Sequence, residues 1–328
     1  MDDDIPLAGS APRIASRATF CVIVPAFNEG GGLVEFHRRL SAVMDGFGCL
    51  WTVLYVNDGS TDDTLRALRG IREGDPHVAL VNLSRNFGKE AAMTAGLDHA
   101  DGDAIIVIDA DLQDPPEIIP ALVAGWREGF DIVYAQRTAR HGETWLKRTT
   151  AGLFYRLMAD VGNARMPRDT GDFRLMSWRV VEAVRSLRED HRFMKGLFAW
   201  VGFPSKGVPY ERAARHTGTS KWSYWKLFNL AVEGYTSFSV VPLKLAGYLG
   251  LAVSLVSALF ITQLLVRTVL YGNPVAGYPS LMAVVLFLGG VQLFNQGIIG
   301  EYLGRVFNET KQRPMYFVES FLPPRSRR

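Results

Sequence analysis

Toward its C-terminus the chain carries two stretches without a charged residue, 22 residues over 245–266 and 21 over 280–300. About 20 apolar residues suffice to cross the hydrocarbon core of a bilayer. One such run also fits a buried core helix. Two in series, joined by a segment (268–279) without Lys or Arg, fit a transmembrane hairpin, and that limits what the rest of the chain can be. Lys244 precedes the first run, and Arg305, Lys311, Arg313, Arg325, Arg327 and Arg328 follow the second. Basic residues flank the cytoplasmic ends of spans, so both termini are expected in the cytoplasm, with 305–328 a basic cytoplasmic tail. Gln292, Asn295 and Gln296 are costly against lipid and are expected to face a partner helix or another subunit, which allows a homo-oligomer. Ahead of the hairpin, Trp222 and Trp225 open a segment with Phe228, Val232 and Tyr235 on one helical face. It reads as an interfacial amphipathic helix over 222–242.

The first two-thirds has a different pattern. Apolar, β-branched runs over 20–24, 52–56, 78–82, 104–109 and 131–135 alternate with helix-like stretches over about 29–47, 61–73, 89–99 and 116–128. Near-continuous apolar strands alternating with helices predict a mostly parallel sheet covered on both faces, in a domain over 18–221. Beyond about 145 the regularity fades. A helix is expected over 147–160, a loop leading into 169–174, a helix over 179–187 and short antiparallel strands near 205–212. Residues 1–17 open with Asp2, Asp3 and Asp4 and lack a basic start followed by an apolar stretch. They read as a disordered tail, not a signal peptide.

Composition removes some functions. A net charge of +3 without a long basic run gives no reason to expect a nucleic-acid partner. Two cysteines, Cys21 and Cys49, without CxxC or Cys/His spacing, exclude a disulfide framework or a structural zinc and fit a reducing cytosolic face.

In parallel sheets ligands bind at the carboxyl ends of the strands, and there the chain places its acidic residues. Asp109-Ala110-Asp111-Leu112-Gln113-Asp114 follows the fourth run. Two carboxylates one residue apart can present oxygens to a hard cation such as Mg2+ or Mn2+, which keeps positions for substrate phosphate. Such a pair is common in solvated turns. Here, however, Pro25-Ala26-Phe27-Asn28-Glu29 and Asn57-Asp58-Gly59-Ser60-Thr61-Asp62 follow the first two runs on the same rim. Asp58 is suited to accept from a base N–H or a ribose hydroxyl.

In order, VPAFNE (24–29), VNDGSTDDT (56–64), SRNFGKEAAMTAG (84–96) and DADLQDPPE (109–117) resemble glycosyltransferase family 2. With TGDFRLMS (170–177), GTSKWS (218–223) and the two apolar runs, the chain is similar to its polyprenyl-phosphate glycosyltransferases, the dolichol-phosphate mannosyltransferase and bactoprenol glucosyltransferase type, over about 20–311. The resemblance implies a Rossmann-like GT-A catalytic domain, an α/β fold with a mostly parallel sheet. Pro25, Phe27, Glu29, Asp58 and Lys89 would hold a nucleotide diphosphate sugar, UDP-linked by analogy with the bacterial branch. Asp109, Asp111 and Gln113 would surround Mg2+ or Mn2+. Arg137, with Arg140 or Arg148, and Lys221 would receive the phosphate of a polyprenyl (undecaprenyl) lipid, although each isolated Arg also fits a solvated face. Asp172 and Arg174 would shape the sugar and acceptor site, with Asp172 either a base or a holder of Arg174 and a sugar hydroxyl.

The expected reaction is a single displacement with inversion at the anomeric carbon, at the cytoplasmic face of a bacterial inner membrane, serving cell-envelope glycan or lipid modification. Removing everything after about residue 240 is expected to abolish transfer to long lipids and spare donor binding. A processive polysaccharide synthase is a rival, but the chain has no QxxRW and only two apolar runs. A non-catalytic nucleotide-sugar-binding scaffold is a second rival, opposed by the intact Asp109/Asp111 pair.

Overall fold

The structure is a computed structural model and describes residues 18–138, 170–189, 192–210, 241–271 and 277–325. It divides into two units, residues 1–226 with 314–328 and residues 227–313.

In the first unit, β1 (Thr19–Ala26), β2 (Leu50–Asn57), β3 (Val78–Leu83) and β4 (Ala104–Val107) pair in parallel in the order β4-β1-β2-β3. Their side chains are apolar on both faces because helices cover both, and Val22, Ile23 and Val24 have no exposure at all. The covering helices include α1 (Leu33–Asp45), α2 (Thr64–Gly74), α3 (Lys89–His99) and α4 (Ile119–Arg127). In α1 the buried residues are Leu33, Phe36, Leu40 and Met44, the three- and four-residue spacing of one helical stripe. In α3 a Cβ on Gly96 would stand 2.3 Å from Ile23 Cγ2, so only glycine lets this helix lie so close to β1. The expected strands and helices of residues 18–138 are all present, within a few residues of their predicted bounds.

The second half of the sheet departs from expectation. β5 (Ile132–Arg137) is flanked by β6 (Thr170–Ser177) and β7 (Ser205–Tyr210), completing the order β7-β5-β6-β4-β1-β2-β3-β8. Residues 170–174, expected at the end of a loop, are instead strand, and β6 runs antiparallel between β4 and β5. Its alternating Thr170, Asp172 and Arg174 hid it, because sequence alone does not show that a strand can bury charges against one another. β7 pairs parallel with β5, not antiparallel as expected. Helices α5 (Trp178–Ser186) and α6 (Met194–Trp200) follow β6.

The predicted basic tail over 305–328 also needs correction. Helix continues to Thr310, and Val318–Leu322 forms β8, which pairs antiparallel with β3 at the sheet edge. The chain therefore leaves the first unit, makes the second and returns to finish the first. A truncation after residue 240 would remove a strand of the sheet as well as the helices.

Among the described residues, the second unit contains α7 (Val241–Tyr271) and α8 (Tyr278–Thr310), 31 and 33 residues long. At 1.5 Å per residue each exceeds the ~30 Å of a bilayer's hydrocarbon core. Both uncharged stretches lie wholly inside these helices. Among the described residues, no helix is long and apolar enough to cross a membrane. Many α7 and α8 side chains lie outside that set, whereas the uncharged stretches are unbroken in the full sequence. Many of the described apolar side chains are exposed, with Leu259 at 73%, Val269 at 82% and Leu293 at 70%. Asn295 lies against α7, its Nδ2 3.4 Å from where a Cβ on Gly250 would stand, while Gln292 and Gln296 are exposed. Residues 1–17, the expected helix over 147–160 and nearly all of 222–242 lie outside the described residues.

Candidate active site

Three strand ends of the parallel core form the site's first half. β1 ends on buried Pro25 and Ala26, after which Phe27 stands 44% exposed. Asn28 then adopts a left-handed φ of 57°, which L-residues other than glycine seldom take and which recurs at functional turns. Ties to the turn after β2 hold it there. The Asn28 N–H donates to Ser60 Oγ (3.1 Å), the Thr61 N–H donates to Asn28 Oδ1 (2.9 Å), and the Glu29 N–H donates to Thr64 Oγ1 (2.9 Å).

Asp58 is clamped more tightly than expected. Its two oxygens accept from the Phe87 N–H (2.8 Å) and the Gly88 N–H (3.0 Å), so it holds the loop that carries Lys89 into α3. Burial raises its pKa against those two bonds. Gly59, at a φ of 61°, lies under that loop, and a Cβ there would stand 2.2 Å from the Arg85 carbonyl carbon. Only glycine satisfies both conditions.

The second half is a charge cluster. Lys89 Nζ stands 2.6 Å from Asp109 Oδ1, 2.7 Å from Asp109 Oδ2 and 2.6 Å from Asp172 Oδ2, joining the end of β4 to the middle of β6. Burial opposes the Lys89 charge, but the two carboxylates outweigh it and raise its pKa. For Asp172 burial is likewise outweighed, by Lys89 and then Lys195, and the carboxyl is held below its usual range. For Asp109 burial wins over the pull of Lys89, Asp172 adds to the rise, and the pKa is raised. One ammonium shared by two carboxylates thus keeps Asp172 ionised. Asp172 Oδ1 is buried without a hydrogen-bond partner among the described residues.

Arg174 is fully enclosed. Its guanidinium donates to the Gly171 carbonyl (2.9 Å) and lies 4.1 Å from the Phe198 ring centroid. Burial brings its pKa down to about 10, against Asp172 and Glu90. Arg174 and Lys195 line a cavity of about 60 Å³ with Tyr134, Thr170 and Phe198. Arg137, at the end of β5, donates to the Tyr210 hydroxyl (3.4 Å), which in turn donates to buried Asp114. Burial and Asp114 push the Tyr210 pKa up to about 12.

Of the predicted residues, Lys89, Asp109, Asp172 and Arg174 come together directly, and Pro25, Phe27, Glu29 and Asp58 share the adjoining rim. Asp111 and Gln113 sit in the turn after β4, where the Gln113 N–H donates to Asp111 Oδ1 (3.1 Å) and Leu112 is left-handed at a φ of 59°. Arg140, Arg148 and Lys221 lie outside the described residues. Sequence reasoning missed Glu90, Asp114, Lys195 and Tyr210. The first two lie inside motifs already singled out, where no role was assigned to them; Lys195 and Tyr210 have no local signal.

Among the described residues no group of three acidic, His or Cys side chains could hold a metal ion. Asp109 and Asp111 supply carboxylate oxygens, and Asp109 already faces a cation in Lys89. Two hard-oxygen side chains, with the remaining positions left to substrate phosphate, fit Mg2+ or Mn2+.

A mostly parallel sheet with acidic turns and a shared lysine at its carboxyl edge defines an α/β protein whose ligand site lies at the strand ends. The chain belongs to glycosyl transferase family 2, whose sequence profile matches residues 21–185, and a profile described as the GtrB C-terminal hairpin matches residues 241–306. The bactoprenol glucosyl transferase of Shigella phage SfV is 45% identical over 91% of this chain and 97% of its own length. An uncharacterized glycosyltransferase of Synechocystis is 50% identical over 90% of this chain and 93% of its own length. Among solved structures, glucosyl-3-phosphoglycerate synthase from Mycobacterium tuberculosis, in complex with Mn2+, UDP-glucose and phosphoglyceric acid, is 22% identical, with a TM-score of 0.45 over 66% of this chain and 76% of that one.

Proposed function

We propose that this enzyme transfers a sugar, with inversion, from a nucleotide diphosphate sugar (UDP-linked) to a polyprenyl phosphate at the cytoplasmic face of a bacterial inner membrane. The observation that carries this reading is the Lys89 ammonium held between Asp109 and Asp172 at the carboxyl edge of the sheet. Similarity to bactoprenol glucosyl transferases supports the acceptor class.

Phe27, exposed beside the clamped Asn28–Ser60 turn, gives a base or ribose an aromatic surface, with Asp58 fixing the loop opposite. Asp109 and Asp111 would hold the Mg2+ or Mn2+, which when bound neutralises charge on the departing diphosphate. Lys89, at the start of α3, is placed to meet donor phosphate. A phosphate monoester has its second pKa near about 6 and is largely ionised at neutral pH, so it attacks without help from a strong base. Asp172, kept ionised by Lys89, is a weak proton acceptor. Its role in this account is to hold Lys89 and to leave Oδ1 for a sugar hydroxyl. Arg137 and Arg174 supply positive charge near the acceptor side, and the fork of a guanidinium suits phosphate oxygens. Rate enhancement then comes from alignment and charge compensation.

The exposed apolar surfaces of α7 and α8 support a membrane hairpin, since patches of that kind mark interaction surfaces. Connectivity supports the topology. Strands β1 to β7, before α7, and β8, after α8, belong to the same folded unit, so the intervening chain crosses an even number of times. A cysteine at Gly277 is expected to react with an impermeant maleimide only from the outer face, and labelling from the cytoplasmic face would refute this arrangement. The function is tested by supplying the full-length enzyme with undecaprenyl phosphate and a panel of labelled nucleotide sugars. Label in the organic-extractable lipid, abolished by EDTA, is expected; label in a polymer or in no product would contradict it.

A further inference from the structure

The returning strand β8 does more than finish the sheet. Glu319 Oε2 accepts from the Asn82 amide Nδ2 (2.5 Å), the Asn82 Oδ1 accepts from the Asn57 Nδ2 (2.6 Å), and the Asn57 Oδ1 accepts from the Ser60 N–H (3.4 Å). Asn57 and Asn82 are 1% and 4% exposed, so neither amide can turn to water instead. A side-chain amide has a donor end and an acceptor end, and a carboxylate only accepts. Glu319 therefore fixes which way both amides point, and so delivers an acceptor to the Ser60 turn that also holds Asn28.

A second set of contacts runs in parallel. The Ser84 N–H donates to the Phe317 carbonyl (3.0 Å), and the Phe317 and Phe87 rings lie 6.3 Å apart. Phe87 is the residue whose N–H binds Asp58. The Tyr316 hydroxyl donates to Asp98 (2.8 Å) near the far end of α3, the helix that presents Lys89.

We propose that β8 is a clasp for the nucleotide-binding half of the site and that Glu319 is a positioning residue, acting through Asn82 and Asn57 on the Ser60 turn. The proposal rests on the donor reading given above. The segment emerging from the second long helix thus sets the turn at which nucleoside diphosphate binds.

The test uses full-length enzyme and two readouts, equilibrium binding of UDP and GDP, and steady-state kinetics with each substrate varied. Glu319→Ala is expected to weaken UDP binding and raise the nucleotide-sugar KM by the same factor, roughly five-fold for the loss of one orienting hydrogen bond. Turnover and the lipid KM stay unchanged. Glu319→Gln keeps an acceptor oxygen and retains affinity. Asn82→Asp places two carboxylates face to face, breaks the hydrogen bond that ties β8 to the turn and lowers affinity, and adding Glu319→Gln restores it, because the Gln amide donates to the Asp carboxylate and closes that link again. If Glu319→Ala does not fold, the Asn82→Asp pair decides. Native affinity in Glu319→Ala, no rescue in the double variant, or a joint decline of turnover and both KM values would overturn the clasp. Failure of the native enzyme to bind either nucleotide would refute the donor reading itself.

Discussion

The two halves of the rim are built on different physics. The half at β1, β2 and β3 is held by backbone: a left-handed Asn28, a Gly59 that no other residue can replace, and Asp58 turned inward onto two amides. The half at β4 and β6 is held by charge, with Lys89 shared by Asp109 and Asp172 and with Arg174 enclosed behind them. The first half has one stable shape, which the proposed function assigns to a base and ribose. The second half stores balanced charge that an anionic donor and acceptor can redistribute. Substitutions in the two should therefore fail differently, the backbone half in stability and donor affinity, the charged half in turnover.

Apart from the loss of a metal-holding carboxylate, the largest expected effect lies in the charged half. Lys89→Met leaves Asp109 and Asp172 facing each other and is expected to lower turnover roughly 100-fold, the scale of losing one preorganised charge. Asp172→Asn is expected to lower turnover only about ten-fold, with the acid limb of the pH–rate profile remaining where a phosphate titrates, near about 6. Loss of all activity together with that limb would make Asp172 the base.

Gly59→Ala tests the backbone half. It combines a close backbone contact with a left-handed conformation and is expected to destabilise the fold by about 3 kcal/mol, read by denaturant unfolding, while raising the donor KM. A variant as stable as the native protein would show that the loop at Arg85 yields.

A smaller effect concerns Glu90, whose carboxylate accepts from the Met194 N–H (3.1 Å) and whose pKa is raised to about 7 by burial and by the charge of Asp172. A carboxyl with a raised folded-state pKa binds its proton more tightly when folded. Its stabilising contribution is complete below about pH 4.5 and is lost as pH rises through about 7. Glu90→Gln is expected to flatten the fall in melting temperature between those values, and an unchanged profile would place the titration elsewhere.

The difference between the halves also explains what the sequence could show. Buried parallel strands are written as continuous apolar runs, so β1 to β4 and the acidic turns behind them were legible, as were Lys89, Asp109 and Asp172 through their motifs. β6 was not, because its Asp172 and Arg174 are tolerated only by partners distant in sequence. β8 was not, because Val318–Leu322 has no pattern of its own and follows a segment that reads as the end of the folded chain. Glu319 lies inside the stretch read as a basic tail and carries no signal of its own. The clasp exists only because β3 offers an open edge.

Central to the account is that Asp111 and Asp109 hold the charge that lets a diphosphate leave while a lipid phosphate attacks. The direct measurement is the initial rate of labelled-sugar transfer into extractable lipid by full-length Asp111→Ala beside the native enzyme, with both shown folded by thermal melting. The account predicts a fall of roughly 1,000-fold, the upper range for loss of one such electrostatic group; a rate equal to the native enzyme's would contradict it.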